Sequence, residues 1–308
     1  MGTSKFGIPT LNQIVNNFNL LAIVTNFDKP SGRGLKVRNS AVKEYSLKKN
    51  IKLLQPKSLK DENFVEKIKK FKPDFIIVVA FRMLPKVIWS IPKFGTINLH
   101  ASLLPDYRGA APINWAIING EKYTGITTFY IDDKIDTGDI LLQKRIKINE
   151  TDNAEDLHNT LSKKGSLLIF ETINGVLNNG IKPSRQESHK THKTAYKLNK
   201  ENIKISWECK ANEIYNKIRG LSPYPGARTT IINTKNKLKK NIIIYDCNYK
   251  LINSNHKPGN IIISKNEFKI SCIDGYVELK EIKIEGKKRM KIKSFLNGFN
   301  RNNEFTAK

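Results

Sequence analysis

The sequence predicts an α/β fold: a Rossmann-like, mostly parallel sheet followed by a small OB-like β-barrel. Residues 1–180 alternate short apolar runs rich in β-formers with helical patterns, which is typical of βαβ units. Residues 181–200 are polar and basic, as a linker is. Residues 201–308 contain one helical pattern and several short alternating runs, which favours an antiparallel barrel. We therefore predict two domains, residues 1–180 and 201–308, with a linker between them.

Apolar periodicity and capping residues predict the individual elements of the first domain. The predicted strands are Leu20–Thr25, Asp74–Ala80, Thr96–His100 and Ile126–Ile131. The predicted helices are Pro9–Asn17, Ala41–Lys49, Asn63–Phe71, Ala110–Asn119 and about Ala154–Leu177. Asp152 or Asn153 can cap the last of these helices.

The second domain begins with a predicted helix, Ala211–Arg219, and continues as strands. These are Arg228–Asn233, Asn241–Tyr245, Asn260–Ser264, Phe268–Cys272 and Tyr276–Ile284. Their shortness and alternation are the reason for predicting a barrel.

The 308 residues carry a formal net charge of +26, and this charge is unevenly distributed. It is +12 over residues 1–100, −1 over 101–150, +3 over 151–200 and +12 over 201–308. A near-neutral block between basic ones favours a polyanionic partner such as a nucleic acid. A merely solvated lysine-rich surface is the alternative, because 44 Lys against 10 Arg also fits a codon bias.

Composition and patterning also exclude several classes of protein. Apolar runs such as Phe75–Ala80 are far shorter than the ~20 residues of a membrane helix, and the first residues have no apolar signal core. We therefore expect a cytoplasmic protein that does not contact a membrane. The spacing of Cys209, Cys247 and Cys272 indicates neither a disulfide framework nor a metal motif.

The strand Thr96–His100 carries two polar side chains where apolar ones are expected. Because alternate residues of a strand share a face, Asn98 and His100 project together. Open α/β sheets bind ligands at the carboxyl ends of their strands. The pair therefore indicates a ligand site, with a hydrogen-bonded core pair as the alternative.

Two segments that follow this strand are weaker signals when each is taken alone. Ala101–Pro112 is interrupted by Pro and Gly, so it is predicted to be a loop that could clamp a ligand. Asp132, Asp133, Asp136 and Asp139 cluster in a turn after the strand Ile126–Ile131. Such a cluster is usually solvated and less often a cation site.

Together, these segments resemble the signature of the formyltetrahydrofolate-dependent transferases. The matching residues are Asn98–Pro105, Arg108–Pro112 and Asp136–Asp139, in this order along the chain. In that family an Asn, a His and an Asp surround the formyl group, and Asn98, His100 and Asp136 fall at the matching places. The resemblance implies that these three residues are catalytic and that no metal is required.

The resemblance covers nearly the whole chain and is greatest to the methionyl-tRNA formyltransferase family. Lys29–Gly34 is similar to a basic loop that reaches the tRNA acceptor stem, and Val78–Pro85 to the segment beside the folate. Ile218–Ala227 and Glu285–Met290 are similar to that family's carboxy-terminal domain. The implied activity, used in translation initiation, transfers the formyl group of 10-formyltetrahydrofolate to the α-amino group of methionine on initiator tRNA.

The resemblance also implies which residues bind each substrate. The folate co-substrate would contact Ser102, Leu103, Leu104, Pro105, Phe81, Met83 and Leu84. The tRNA would contact Arg33, Lys29, Lys36, Arg38, Lys287, Lys288 and Arg289. His100 would stabilise the oxyanion or carry the proton, Asp136 would fix its tautomer, and Asn98 would donate to the same oxygen. A monomer suits a protein that must wrap an acceptor stem.

One departure from the family concerns the amino terminus. In the family a strand precedes the Met-Gly-Thr turn, but here Met1-Gly2-Thr3 begins the sequence. Because the resemblance makes this strand a central one, its absence predicts a gap in the sheet with exposed backbone donors and acceptors. We expect the true start to lie upstream of Met1, with a reduced and less stable protein as the alternative.

Two other functions are compatible with these residues. A transferase for a small amine, such as glycinamide ribonucleotide or an amino sugar nucleotide, would use the same Asn, His and Asp but would not need a basic second domain. An inactive RNA-binding remnant is supported only by the absent first strand. The intact Asn98, His100 and Asp136 argue against it.

Overall fold

Helices and strands alternate through the first part of the chain. The computed structural model describes residues 1–28, 30–31, 36–37, 39–187, 192–252, 256–298 and 304–308. The chain forms two units. The first consists of Met1–Pro112, Tyr123–Lys147 and His158–Ala195, and the second of Ile113–Lys122, Ile148–Leu157 and Tyr196–Lys308. Among the described residues, no helix combines the length and the apolar character that a membrane span requires.

Each predicted helix and strand overlaps an observed one. Up to residue 200 the elements are α1 (Ile8–Asn17), β1 (Ile23–Val24), β2 (Pro30–Ser31), β3 (Lys36–Val37), α2 (Ala41–Lys48), β4 (Leu53–Leu54), α3 (Glu62–Lys70), β5 (Ile76–Val79), α4 (Lys86–Trp89), β6 (Thr96–His100), β7 (Arg108–Gly109), α5 (Pro112–Ile118), β8 (Tyr123–Tyr130), β9 (Ile140–Lys147), α6 (Ala154–Leu177) and β10 (Thr194–Ala195). The later elements are α7 (Ala211–Leu221), β11 (Ala227–Asn233), β12 (Lys239–Leu251), β13 (Ile261–Ile263), β14 (Phe268–Cys272), β15 (Gly275–Ile284), β16 (Met290–Lys291), α8 (Ile292–Leu296) and β17 (Phe305–Ala307). Asn153 caps α6, because its Oδ1 accepts hydrogen bonds from Glu155 N (2.8 Å) and Asp156 N (3.1 Å).

The sheet of the first unit confirms the predicted α/β class. Strand β5 pairs in parallel with β6, and β1 pairs in parallel with β4. On the other side of β6, strands β8 and β9 run antiparallel and complete the order β5-β6-β8-β9. The predicted strand Ile126–Ile131 is therefore part of a longer antiparallel strand, β8. Most of β8 is buried, as expected of a strand with neighbours on both sides.

Helix α6 packs against β6, which carries Asn98 and His100, and against β8, which precedes the turn of Asp136. A Cβ atom at Gly165 would lie 2.7 Å from Leu99 Cδ2, so glycine permits the close approach of α6 to β6. The hydroxyls of Thr172 on α6 and Thr128 on β8 are 2.8 Å apart and share a hydrogen bond. Leu161 and Ile169, also on α6, are fully buried.

Strands β1 and β5 belong to separate sheets, and the first two residues of the chain link them. Gly2 N donates to Val24 O (3.0 Å), and Met1 O accepts from Val79 N (2.9 Å), so the first two residues bridge the ends of both strands. A cavity of about 440 Å³ is lined by Met1, by Leu20–Val24 on one side and by Phe75–Ile77 on the other. The cavity thus lies between the segments that contain β1 and β5.

Much of the segment predicted as a linker pairs with the first unit. Ser184 forms an antiparallel bridge with Ile140 at the start of β9. Strand β10 pairs in parallel with β7, so Thr194 and Ala195 lie beside Arg108 and Gly109. Backbone pairing of this kind does not need apolar side chains, so a polar segment can form it.

The second unit is built on an antiparallel sheet in the order β13-β14-β15-β12-β11-β17, with β16 beside β15. An antiparallel bridge between Asn260 and Thr306 joins the two ends of this sheet. The sheet thus closes into the predicted barrel. Its core contains fully buried side chains from the strands and from α7, such as Ile244, Phe268 and Ile214.

Candidate active site at the carboxyl end of β6

Strand β6 places Asn98 and His100 on one face at the edge of the sheet where β5 also ends. Ile97 and Leu99 point the other way and are buried against the core, which leaves the polar pair on the opposite face. Asn98 is half-buried, and among the described residues its carboxamide has no hydrogen-bond partner. His100 is 7% exposed. The Asn98 amide can therefore donate to a ligand beside the His100 ring.

The protonation pattern of the His100 ring follows from its two neighbours. Nε2 is 2.8 Å from Tyr107 O, and because a carbonyl only accepts, Nε2 must carry the hydrogen. Nδ1 lies 3.7 Å from Asp136 Oδ2, which is too long for a hydrogen bond. The Tyr107 carbonyl, and not the Asp136 carboxylate, therefore sets the tautomer. In neutral His100, Nδ1 is the atom that can accept a proton.

The turn that carries Asp136 is a tightly packed structure. Asp136 has a φ of 55°, and its Oδ2 accepts a hydrogen bond from Gly109 N (2.9 Å). A Cβ atom at Gly138 would lie 1.7 Å from Tyr130 O, so only glycine fits there. Thr137 Oγ1 donates to Asp132 Oδ1 (2.8 Å). Within the part of the chain that the structure describes, no three His, Cys, Asp or Glu side chains are grouped to hold a metal ion.

The loop after β6 is fixed by side chains that sequence reasoning missed. Thr127 Oγ1, on β8, donates to Ser102 O (2.7 Å) and accepts from Leu104 N (3.3 Å). Gln143 Nε2, on β9, donates to Leu104 O (2.7 Å). Thr127 is the partner of His100 in the β6–β8 register, so only knowledge of that register could have identified it.

The residues predicted to contact folate divide into accessible and buried ones. Met83 is 64% exposed, and Phe81, Leu103 and Pro105 are half-buried. Ser102, Leu104 and Leu84 are buried, with 0%, 3% and 4% exposure. The Ser102 hydroxyl donates within the loop to Asp106 O (2.6 Å). The side chains of the buried three shape the loops, and the accessible four can contact a ligand.

The basic residues predicted to bind tRNA also differ in placement. Lys29, Arg33 and Arg38 lie outside the described residues, and Lys36 is in strand β3. Lys287 and Lys288 are exposed in the turn between β15 and β16.

Arg289 is held by its own unit. Its Nη2 donates to Glu281 Oε2 (2.6 Å), and its guanidinium lies 4.4 Å from the centroid of the Tyr245 ring. The hydrogen bond to Glu281 raises the pKa of Arg289 above its usual value. This guanidinium is therefore less available to a phosphate than the ammonium groups of Lys287 and Lys288.

Comparison with known proteins reveals close relatives. The Formyl transferase family model matches residues 4–173, and the model of the Formyl transferase C-terminal domain matches residues 197–300. The methionyl-tRNA formyltransferase of Flavobacterium johnsoniae is 49% identical over 97% of this chain and 94% of its own length. Those of Bacteroides thetaiotaomicron and Clostridium novyi are 43% and 44% identical, over 97% of this chain and 94% and 95% of their own lengths.

Solved structures share the fold at lower sequence identity. WlaRD, a sugar 3N-formyl transferase, is 23% identical with a TM-score of 0.65, covering 93% of this chain and 97% of that one. An N-formyltransferase from Helicobacter canadensis is also 23% identical, with a TM-score of 0.63 and coverage of 90% and 96%. The two family models and the relatives above 40% identity agree along almost the entire sequence, and this chain belongs to the methionyl-tRNA formyltransferase family.

Proposed function

We propose that this chain transfers the formyl group of 10-formyltetrahydrofolate to the α-amino group of methionine on initiator tRNA. The observation that carries the proposal is the similarity of both units to methionyl-tRNA formyltransferases, with 41–49% identity over at least 97% of the chain. The Asn98, His100 and Asp136 groups at the carboxyl end of β6 supply the chemistry that this reaction needs.

The surroundings of the site fit a folate. The half-buried Phe81 and the exposed Met83 follow β5, and parallel strands β5 and β6 end at the same edge of the sheet. Their apolar surface suits a flat heterocycle, and the Asn98 carboxamide provides a polar contact. The bound folate supplies a formyl group on nitrogen.

His100 moves the proton in this proposal. An α-amino group has a pKa of roughly 7.7–8.0, so part of it is neutral at physiological pH and can attack directly. As the new C–N bond forms, the amine must lose a proton and the departing folate nitrogen must gain one. Nδ1 of His100 can take that proton and return it, because Nε2–H stays bonded to Tyr107 O.

Asp136 and Asn98 stabilise the two charges that develop during transfer. When Nδ1 of His100 holds the proton, the imidazolium faces the Asp136 carboxylate across 3.7 Å. The Asn98 amide donates to the formyl oxygen as negative charge builds up there. All three residues act by position, so no covalent enzyme intermediate is needed.

The basic regions bind the tRNA backbone in this proposal. Lys287 and Lys288 contribute exposed positive charge from the second unit, with a smaller contribution from Arg289, and the segment of Lys29, Arg33, Lys36 and Arg38 contributes from the first. Phosphate contacts release bound counterions, so the affinity falls as the salt concentration rises. The protein acts as a monomer in the cytoplasm, the compartment that holds aminoacyl-tRNA. Light scattering of the purified protein measures its molar mass and so tests whether it is a monomer.

A transfer assay tests the proposed function. Purified protein is incubated with 10-formyltetrahydrofolate and methionyl initiator tRNA, in parallel with glycinamide ribonucleotide and an amino sugar nucleotide as alternative acceptors. We expect formyl-methionyl-tRNA from the wild type and no formylation of the small amines. Formylation of a small amine alone, or a folded protein that binds tRNA without forming product, contradicts the proposal.

A further inference from the structure

Gln186 lies in the segment predicted as a linker, but its side chain is in contact with the turn that carries Asp136. It is 8% exposed, although its neighbours Arg185 and Glu187 are exposed. Its Nε2 donates to Asp136 O (3.0 Å) and to Gly138 O (2.8 Å). Its Oε1 accepts from Nε (3.0 Å) and Nη2 of Arg108.

These four contacts use the whole hydrogen-bonding capacity of the carboxamide. A Gln side chain has two N–H donors and one oxygen with two lone pairs, and each of them has a partner. A glutamate could keep the contact with Arg108 but would turn an oxygen toward two carbonyl oxygens. A methionine of similar shape would leave all the partners without a bond. Gln186 is thus the residue type that the site requires.

The contacts of Gln186 close a ring around the catalytic carboxylate. Gln186 holds the backbone of Asp136, the Asp136 carboxylate accepts from Gly109 N, and Arg108, next to Gly109, returns to Gln186. Strand pairing of β10 with β7 adds backbone bonds at the same loop. Because each of these residues is hydrogen-bonded to the next, the network restricts where Oδ2 of Asp136 can lie relative to His100.

We propose that Gln186 is a positioning residue, which holds the Asp136 carboxylate close enough to His100 Nδ1 to stabilise the ring while it carries the proton. The inference rests on the proposed function, because it assigns Gln186 a part in the same site. Its effect is on the rate of transfer rather than on substrate binding, since among the described residues the side-chain hydrogen bonds of Gln186 go to the Asp136 turn and to Arg108.

Three variants separate positioning from simple stabilisation. Gln186→Met removes all four contacts, Gln186→Glu keeps the Arg108 pair but loses both donors to the Asp136 turn, and Arg185→Ala is the matched control at the exposed neighbour. We expect kcat to fall about 10- to 100-fold in both Gln186 variants, because small displacements of catalytic groups have effects of this size. KM for either substrate should stay within about threefold, and Arg185→Ala should match the wild type.

A double-mutant cycle with Asp136→Asn identifies the path of the effect. If Gln186 acts through Asp136, Gln186→Glu should lower kcat less than about twofold further in the Asp136→Asn background. An equal further loss in that background would overturn the proposal. So would a Gln186→Glu protein with wild-type kcat, because the contact with Arg108 would then account for the role of residue 186.

A readout independent of activity separates this inference from the proposed function. The ¹⁵N signals of the His100 ring should move in the same direction in Gln186→Glu as in Asp136→Asn, and should not move in Arg185→Ala. This result supports the positioning role even if the wild type fails to formylate methionyl-tRNA, which would overturn the function alone. Unmoved His100 signals in a folded Gln186→Glu protein would overturn the positioning role.

Discussion

The polar groups of the two proposed sites, one in each unit, differ in burial. In the first unit, His100, Asp136 and Gln186 are at most 14% exposed and each is bonded to neighbouring residues. In the second unit, Lys287 and Lys288 are exposed on a turn. Burial fixes atoms at distances that chemistry needs, whereas exposed ammonium groups can follow a flexible polyanion. The buried groups of the first unit should therefore respond sharply to single substitutions and weakly to salt, and Lys287 and Lys288 of the second unit should respond in graded steps that depend on salt.

The largest effect is expected at the His100 ring. His100→Ala removes the proton carrier, and we expect single-turnover formylation to slow by about 10²–10⁴-fold, the usual contribution of a positioned acid or base. Rapid-quench kinetics with saturating folate and methionyl-tRNA measures this rate. The matched control is His158→Gln, because His158 contacts the Phe6 ring on a different part of the unit. Wild-type turnover in a folded His100→Ala protein would remove His100 from the mechanism.

The next effect concerns the loop that follows β6. Thr127→Val deprives Ser102 O and Leu104 N of a buried partner, and we expect the free energy of unfolding to fall by about 1–3 kcal/mol. Denaturant unfolding measures the change. Thr127→Ser keeps the hydroxyl and should recover most of the loss. If both variants unfold alike, the hydroxyl does not hold the loop.

Local patterns in the sequence predicted the strand, and the family resemblance implied the roles of Asn98, His100 and Asp136, but neither indicated the residues that support them. Asn98 and His100 can be found by alternation on one strand, and Asp136 by its motif. Gln186 is 50 residues from Asp136, and Thr127 is 25 residues from Ser102. Their contacts follow from strand register and from the path of the chain after α6, which local periodicity does not encode.

The elements that were not predicted have physical reasons too. Strand β9 begins with Ile140 and Leu141 but continues through exposed Gln143, Lys144 and Arg145, so its apolar face is too short to indicate a strand. Strands β4, β7 and β10 have two residues each, fewer than a period-two pattern needs. The linker was predicted from polarity, but polar segments can still pair through their backbone.

A smaller and salt-dependent effect is expected in the second unit. Lys287→Ala with Lys288→Ala should raise Kd for methionyl-tRNA by about tenfold at ~0.15 M salt, with kcat unchanged. The slope of log Kd against log salt should become shallower by about 0.9 for each lost phosphate contact. Filter binding over a salt series measures both. The control is Lys163→Ala with Lys164→Ala, which removes the same charge from exposed positions on α6 and should leave Kd within about twofold. If the two double variants raise Kd equally, the net charge of the protein, and not this turn, binds the tRNA.

The smallest effect is expected at Arg289, which shares features of both units: it is basic and 42% exposed, but it is bonded to Glu281. Arg289→Met keeps an unbranched stem beside Tyr245 and should change Kd for tRNA less than about twofold. The loss of the ion pair with Glu281 should lower the free energy of unfolding by only ~0.2–1 kcal/mol, the usual contribution of an exposed pair. Glu281→Gln tests whether the pairing with Glu281 keeps Arg289 from binding phosphate, because it removes the negative partner but leaves the guanidinium in place. We expect tighter binding and a steeper salt slope, by up to about 0.9, from this variant. Unchanged binding in Glu281→Gln, together with a large loss in Arg289→Met, would mean that Arg289 already contacts the tRNA while it is paired with Glu281.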